Sequence, residues 1–175
     1  MNVAGMVFPC ALGRGGITAN KREGDGGTPL GAMRILSGYF RADHFGTARR
    51  TRLEMSPISP ELGWCEIPDD RNYNRPVRLP YRTSHERMLR EDRLYDACIV
   101  LDWNIRPRRR GRGSAIFFHL AREGFTPTQG CVAVTAAVMR RLLPRLSRPV
   151  YRTISAVSNG SGWRQAQCPN GRFAG

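Results

Sequence analysis

A mainly β fold of mixed sheets with two short helices is what this chain of 175 residues predicts. Three observations lead there. The apolar runs are short, and they alternate or are continuous as strands do. The 12 prolines and 19 glycines punctuate nearly every gap between those runs. Only two stretches carry the signals that start a helix. The length suits one domain with room for a real core, and no apolar run approaches the roughly eighteen residues of a membrane-spanning helix.

Taken in order, Val3 to Leu12 is apolar enough for an edge strand, and Gly13-Arg14-Gly15-Gly16 turns the chain. Asn20 to Gly27 is a glycine-rich loop. A Walker loop needs Lys-Ser/Thr directly after its last glycine, and here Thr28-Pro29 follows, so a phosphate loop is excluded. Pro29 and Gly31 instead set the entry into a strand from Ala32 to Leu36. Lys21, Arg22 and Glu23 read as a solvated charge run, with substrate contact as the alternative. Tyr39-Phe40 ends a hairpin partner, and Ala42 to Arg52 is a polar connection. Ser56 to Pro80 holds Pro57, Pro60, Pro68, Pro76 and Pro80 and reads as a long ordered loop or lid without regular structure. Within it Trp64, Tyr73 and the amides of Asn72 and Asn74 could grip a peptide or a sugar, or simply pack the loop.

Thr83-Ser84-His85-Glu86 has the form of a capping box, which predicts a helix to about Tyr95 with Glu86 and Arg90 paired one turn apart. Ala97 to Leu101 is continuously apolar and predicts a central strand buried on both faces, with Cys98 as inert core. Asp102-Trp103-Asn104 closes it, an arginine-rich loop follows, and Ala115 to Leu120 returns as its neighbour. Alternation then places Ala115, Phe117 and His119 on one face and Ile116, Phe118 and Leu120 on the other. Thr135 caps the second helix, whose stripe of Val138, Met139, Leu142 and Leu143 ends at Pro144. Val150 to Ile154 is a last strand. From Ser158 to Gly175 the chain is rich in Gly, Ser, Asn and Gln without periodicity and reads as a disordered tail.

The chemistry lies between the strand that carries His119 and the turn Thr128-Gln129-Gly130-Cys131, which are separated by one connection. A free thiol titrates at about 8.5, and a neighbouring imidazolium pulls it lower. A histidine in hydrogen-bond reach takes the thiol proton, forms a thiolate–imidazolium pair and later returns the proton to a leaving amine. Gly130 lets the backbone turn sharply, so the amides of Gly130 and Cys131 can face an oxyanion. Thr128 and Gln129 flank this turn, and with Asn104 and Tyr73 they are candidate substrate contacts. A buried structural cysteine and a core histidine are the bland alternative for Cys131 and His119.

The pattern His…(Ser/Thr)-x-Gly-Cys-(apolar), with Thr28-Pro29-Leu30-Gly31 upstream, resembles the L,D-transpeptidases of peptidoglycan, the YkuD-type catalytic domain. The resemblance implies a β-sandwich, with residues 1–157 forming the catalytic domain. It implies Cys131 as nucleophile, His119 as base and the main-chain carbonyl of Leu120 as the group that orients the imidazole. It further implies peptidoglycan stem peptides as partners, acylation by carbapenems, and a periplasmic or cell-wall-facing location. Gln129 stands where the family usually has His, and Ala133 where a polar or basic residue is frequent. An L,D-carboxypeptidase shares the acyl-enzyme and differs only in its acceptor, and a nonenzymatic anion-binding module is the rival from another class.

Lys plus Arg number 28 against 14 Asp plus Glu, a net charge of +14, and Lys21 is the single lysine. Arginine suits planar recognition of carboxylate and phosphate. Nucleic acid is not favoured, because the arginines are scattered and the cluster from Arg106 to Arg112 lacks interleaved aromatics. The five cysteines show no C-x-x-C pair and no metal-ligand spacing, so neither a metal nor any other cofactor is expected. Met1 to Met6 has neither a basic region nor a long apolar core, so no secretory signal is visible.

Overall fold

The computed structural model describes residues 1–3, 6–46, 51–146 and 153–156. The tail from Ser158 to Gly175, expected to be disordered, and Val150 to Arg152 of the expected last strand lie outside the described residues. In chain order the strands are β1 (Asn2–Val3), β2 (Met6–Val7), β3 (Ile17–Thr18), β4 (Thr28–Pro29), β5 (Gly31–Phe40), β6 (Met55–Pro57) and β7 (Leu62–Cys65). They continue with β8 (Pro76–Arg78), β9 (His85–Arg87), β10 (Ala97–Leu101), β11 (Phe117–Leu120), β12 (Val132–Val134) and β13 (Thr153–Ala156). One α-helix, α1 (Ala136–Leu142), follows β12.

The main sheet runs β12-β11-β10-β5-β13-β1-β2, with β6 also on β5. Strand β5 is its spine: Gly31 to Arg34 pair with β13, and the remainder pairs with β10 and β6. It is one ten-residue strand, where the sequence predicts a strand from Ala32 to Leu36 and a separate hairpin partner ending at Tyr39-Phe40, with Gly38 in the gap between them. The glycine does not interrupt pairing because Met55 of β6 fills the space above it; a Cβ there would lie 2.3 Å from the Met55 sulfur. Strand β10 is buried along its whole length, as its continuous apolar run predicts.

Alternation on β11 sorts the core into two halves. Phe118, Leu120 and Ile116 face one side with Ile99, Leu101, Val132 and Val134, and α1 closes that side with Met139 and Leu142. Thr135 caps α1 by accepting the amide of Val138 at 3.3 Å, and Pro144 lies in the 3-10 turn that ends it. Phe117 faces the other side with Cys98, Val100, Trp64, Met88, Tyr95 and Cys131. A second sheet, β8-β7-β9, covers this side, and Trp64 of β7 meets Phe117 edge-on at 5.0 Å.

Two expectations fail in this second sheet. The proline-rich stretch from Ser56 to Pro80 contains β7 and β8. Its prolines are tolerated because Pro57 and Pro76 lie on edge strands, where the ladder does not require their missing N–H groups; Ile58, not Pro57, donates to the Phe40 carbonyl at 2.8 Å. The predicted helix from Ser84 to Tyr95 is absent, and His85 to Arg87 form β9 instead. The Ser84 hydroxyl donates to Glu66 at 2.6 Å rather than capping a helix, and the residues of β9 complete their backbone bonds with β7. Tertiary pairing overrides a local signal of this size. The Glu86–Arg90 pair survives without the helix, at 2.5 Å.

Candidate active site

Strand β12 runs parallel to β11, with Phe118 opposite Val132 and His119 opposite Ala133. Cys131 immediately precedes β12, so it lies beside Phe117, whose amide donates to the Cys131 sulfur at 3.3 Å. Side chains two apart share a face, and ideal sheet spacings separate a diagonal pair such as Cys131 and His119 by about 8 Å between Cα atoms. Both line one cavity of about 500 Å³. Cys131 is 8 % exposed and His119 4 %.

The turn in front of Cys131 is held from two directions. Gly130 has φ +130°, and a Cβ there would lie 2.9 Å from the Gly27 carbonyl oxygen. Thr128 Oγ1 donates to the Cys131 carbonyl at 2.7 Å and accepts the Gly130 amide at 3.1 Å. From the upstream motif, Thr28 Oγ1 reaches the same carbonyl at 3.5 Å while accepting the Gly13 amide at 2.8 Å. The remote Thr28-Pro29-Leu30-Gly31 segment is thus a brace of the cysteine turn as well as a strand entry. The Gly130 amide is engaged by Thr128 Oγ1.

His119 Nδ1 lies 2.8 Å from the Leu120 carbonyl oxygen. A carbonyl only accepts, so Nδ1 carries the hydrogen and Nε2 of the neutral ring keeps its lone pair. The Tyr95 ring packs edge-on against the imidazole at 5.2 Å, and the Arg90 guanidinium lies 5.0 Å from the centroid of the same ring. Burial holds His119 near a pKa of about 4, against the opposing pull of the Leu120 bond. Burial also pushes the Cys131 thiol up to about 12, although the Phe117 amide favours the thiolate. The thiol donates to the Ala115 carbonyl at 3.1 Å. Burial thus disfavours the charged form of both groups and favours thiol with neutral imidazole over the thiolate–imidazolium pair.

Of the predicted substrate contacts, Thr128 and Gln129 line the cavity and Tyr73 and Asn104 do not. Tyr73 is buried, and its hydroxyl donates to Glu23, which does line the cavity. Asn104 pins the arginine loop: its amide nitrogen donates to the carbonyls of Arg109 and Gly113, both at 2.9 Å, and its oxygen accepts the Arg109 amide at 2.7 Å. Lys21 is not solvated; it is 3 % exposed and paired with Asp25. Glu66, Glu86, Arg90 and Arg122 supply the remaining charge of the cavity wall, and burial raises the Glu86 carboxyl above the usual range.

Asn74 escaped the sequence reading as a structural residue. Its oxygen accepts from Trp64 Nε1 and from the Ala115 amide, both at 3.0 Å, and its nitrogen donates to the Asn104 carbonyl at 2.9 Å. It ties the second sheet to the segment whose Ala115 carbonyl receives the Cys131 thiol. Only its place in the Asn72-Tyr73-Asn74 cluster hinted at this.

A family model for the YkuD L,D-transpeptidase catalytic domain matches residues 2–172. The chain belongs to the L,D-transpeptidase catalytic-domain family. Members of that family are in general transpeptidases of peptidoglycan peptides, working at the cell wall. No curated protein and no solved structure matches the chain. Among the described residues of this L,D-transpeptidase domain, Cys10, Cys65, Cys98 and Cys131 are free thiols, and no helix is long and apolar enough to cross a membrane.

Proposed function

We propose that this domain is a cysteine acyltransferase that carries out L,D-transpeptidation on peptidoglycan stem peptides through a Cys131 thioester. The observation that supports it most is the shared cavity in which Cys131 lies diagonal to a histidine whose Nε2 is free to accept a proton. As the Cys131 sulfur attacks the carbonyl carbon of the donor stem, its proton passes to His119 Nε2, and the Cys131 amide faces the developing oxyanion. Collapse of the tetrahedral species breaks the C–N bond, and the imidazolium returns the proton to the leaving amine. An acceptor amine then attacks the thioester, loses its proton to His119, and releases the thiol. Water in place of that amine gives L,D-carboxypeptidase activity, so product analysis with and without an acceptor stem separates the two.

The resting protonation states fit this sequence of events. A neutral imidazole is the competent base, and the thiol loses its proton only as the C–S bond forms. Cys131→Ala should abolish both the carbapenem adduct and turnover of purified stem peptides, whereas a variant with Cys10, Cys65 and Cys98 replaced by Ser or Ala should retain the adduct at Cys131. Turnover by Cys131→Ala would sink the proposal, and a wild-type chain that never forms the adduct would favour the anion-binding module.

A further inference from the structure

The arginine loop after β10 is not loose. Besides the three bonds of Asn104, the Trp103 indole donates to the Arg112 carbonyl at 2.8 Å, and the Glu23 amide donates to the Gly111 carbonyl at 2.9 Å. This fixed backbone sets Arg106 and Arg108 beside Arg75, which immediately precedes β8, around a depression of about 560 Å³ whose other walls are Asn74, Pro76, Ile105 and Pro107. None of the three guanidinium groups makes an ion pair or a side-chain hydrogen bond among the described residues. Nearby Asp69 is 91 % exposed and lies 3.5 Å from Arg110, outside the depression. Arg108 is half-buried, and both its burial and Arg75 disfavour its charge.

Three like charges gathered in one concavity without a carboxylate cost electrostatic energy that an anion would recover. Guanidinium groups pair bidentately with carboxylate and phosphate alike, and three of them around one concavity match the higher charge and the additional oxygens of a phosphate rather than a single carboxylate. We propose that Arg75, Arg106 and Arg108 form a binding site for a phosphate or pyrophosphate group, separate from the cavity of Cys131 and His119. The phosphate is carried by a soluble ligand or by a lipid headgroup, and the site recognises the group common to both. The loop that carries Arg106 and Arg108 is hydrogen-bonded to Asn74 and, through the Gly111 carbonyl, to Glu23 of the active-site cavity wall. The site does not depend on the proposed acyl transfer.

The test is binding, not activity. Isothermal titration of the whole chain with inorganic pyrophosphate, and co-sedimentation with phosphatidylglycerol-containing or pure phosphatidylcholine vesicles, are compared across two variants of equal charge. One carries Arg75→Gln, Arg106→Gln and Arg108→Gln; the other carries Arg78→Gln, Arg87→Gln and Arg141→Gln, all exposed and outside the depression. The site predicts a loss of about tenfold or more in the first variant, the effect of removing charge-assisted pairs, and little change in the second. Pyrophosphate binding identifies a soluble ligand class, and binding to anionic vesicles alone identifies a headgroup. Equal losses in both variants, or no binding in either arm, overturn the proposal. Circular dichroism of the first variant guards against a folding defect, and single Arg108→Gln, with a smaller loss, replaces it if needed.

Discussion

At the scale of single residues, the behaviour of Cys131 and His119 follows from burial. A thiol held near 12 should react with iodoacetamide slowly at pH 7, and its rate should climb through pH 9 without levelling. A free thiol levels off above about 8.5. Mass-spectrometric alkylation profiles of Cys131 decide this, and a plateau below pH 8 would restore the thiolate–imidazolium pair. His119 adds a stability signature. Its folded pKa of about 4 lies below the ordinary value of 6.5, so the unfolded chain binds the extra proton between those values. The stabilisation is complete above about pH 6.5 and is lost as pH falls toward 4, by up to ~3 kcal/mol. Denaturant midpoints of wild type and His119→Gln across this window should converge toward acid; parallel curves would mean that His119 does not stay neutral in the fold.

At the scale of elements, the turn before β12 is the most sensitive piece. Gly130→Ala places a Cβ 2.9 Å from the Gly27 oxygen at φ +130°, which should cost about 1–3 kcal/mol of stability and displace the cysteine. Thermal unfolding together with the yield of carbapenem adduct tests it, and an unchanged adduct yield would show that the turn tolerates the methyl group. Much of this element was legible in advance, because the strand of His119, the Gly-Cys turn and the capped α1 are each written in a few adjacent residues. The second sheet was not. Its strands are only three or four residues long, too short for periodicity to register, and their partners are distant in the chain. Thr83 and Glu86 have the spacing of a capping box, but in the fold the Thr83 hydroxyl donates to Asp70 at 3.1 Å and the backbone of Glu86 pairs with Trp64 of β7. The contacts of Tyr73 and Asn104 were hidden for the same reason: a polar or aromatic residue in a loop carries no sign of whether it meets substrate or holds the loop to its neighbours.

At the scale of the whole molecule, two packed half-cores flank a spine shared by β5, β10 and β11, and the net charge of +14 is spread around them. Self-repulsion of that size should be relieved by salt. Raising ionic strength from about 0.01 to 0.15 M shortens the screening length from about 30 to 8 Å, so the thermal midpoint should rise with sodium chloride. A midpoint that falls instead would show that ion pairs such as Arg90–Asp92 outweigh the repulsion. Burial should also slow the oxidation of Cys131. Peroxide converts a cysteine to its sulfenic acid by way of the thiolate, and a thiol that burial pushes up to about 12 and that stays protonated in its hydrogen bond to the Ala115 carbonyl presents almost none at neutral pH. A sulfur held in this way should age slowly in oxidising surroundings without a disulfide partner.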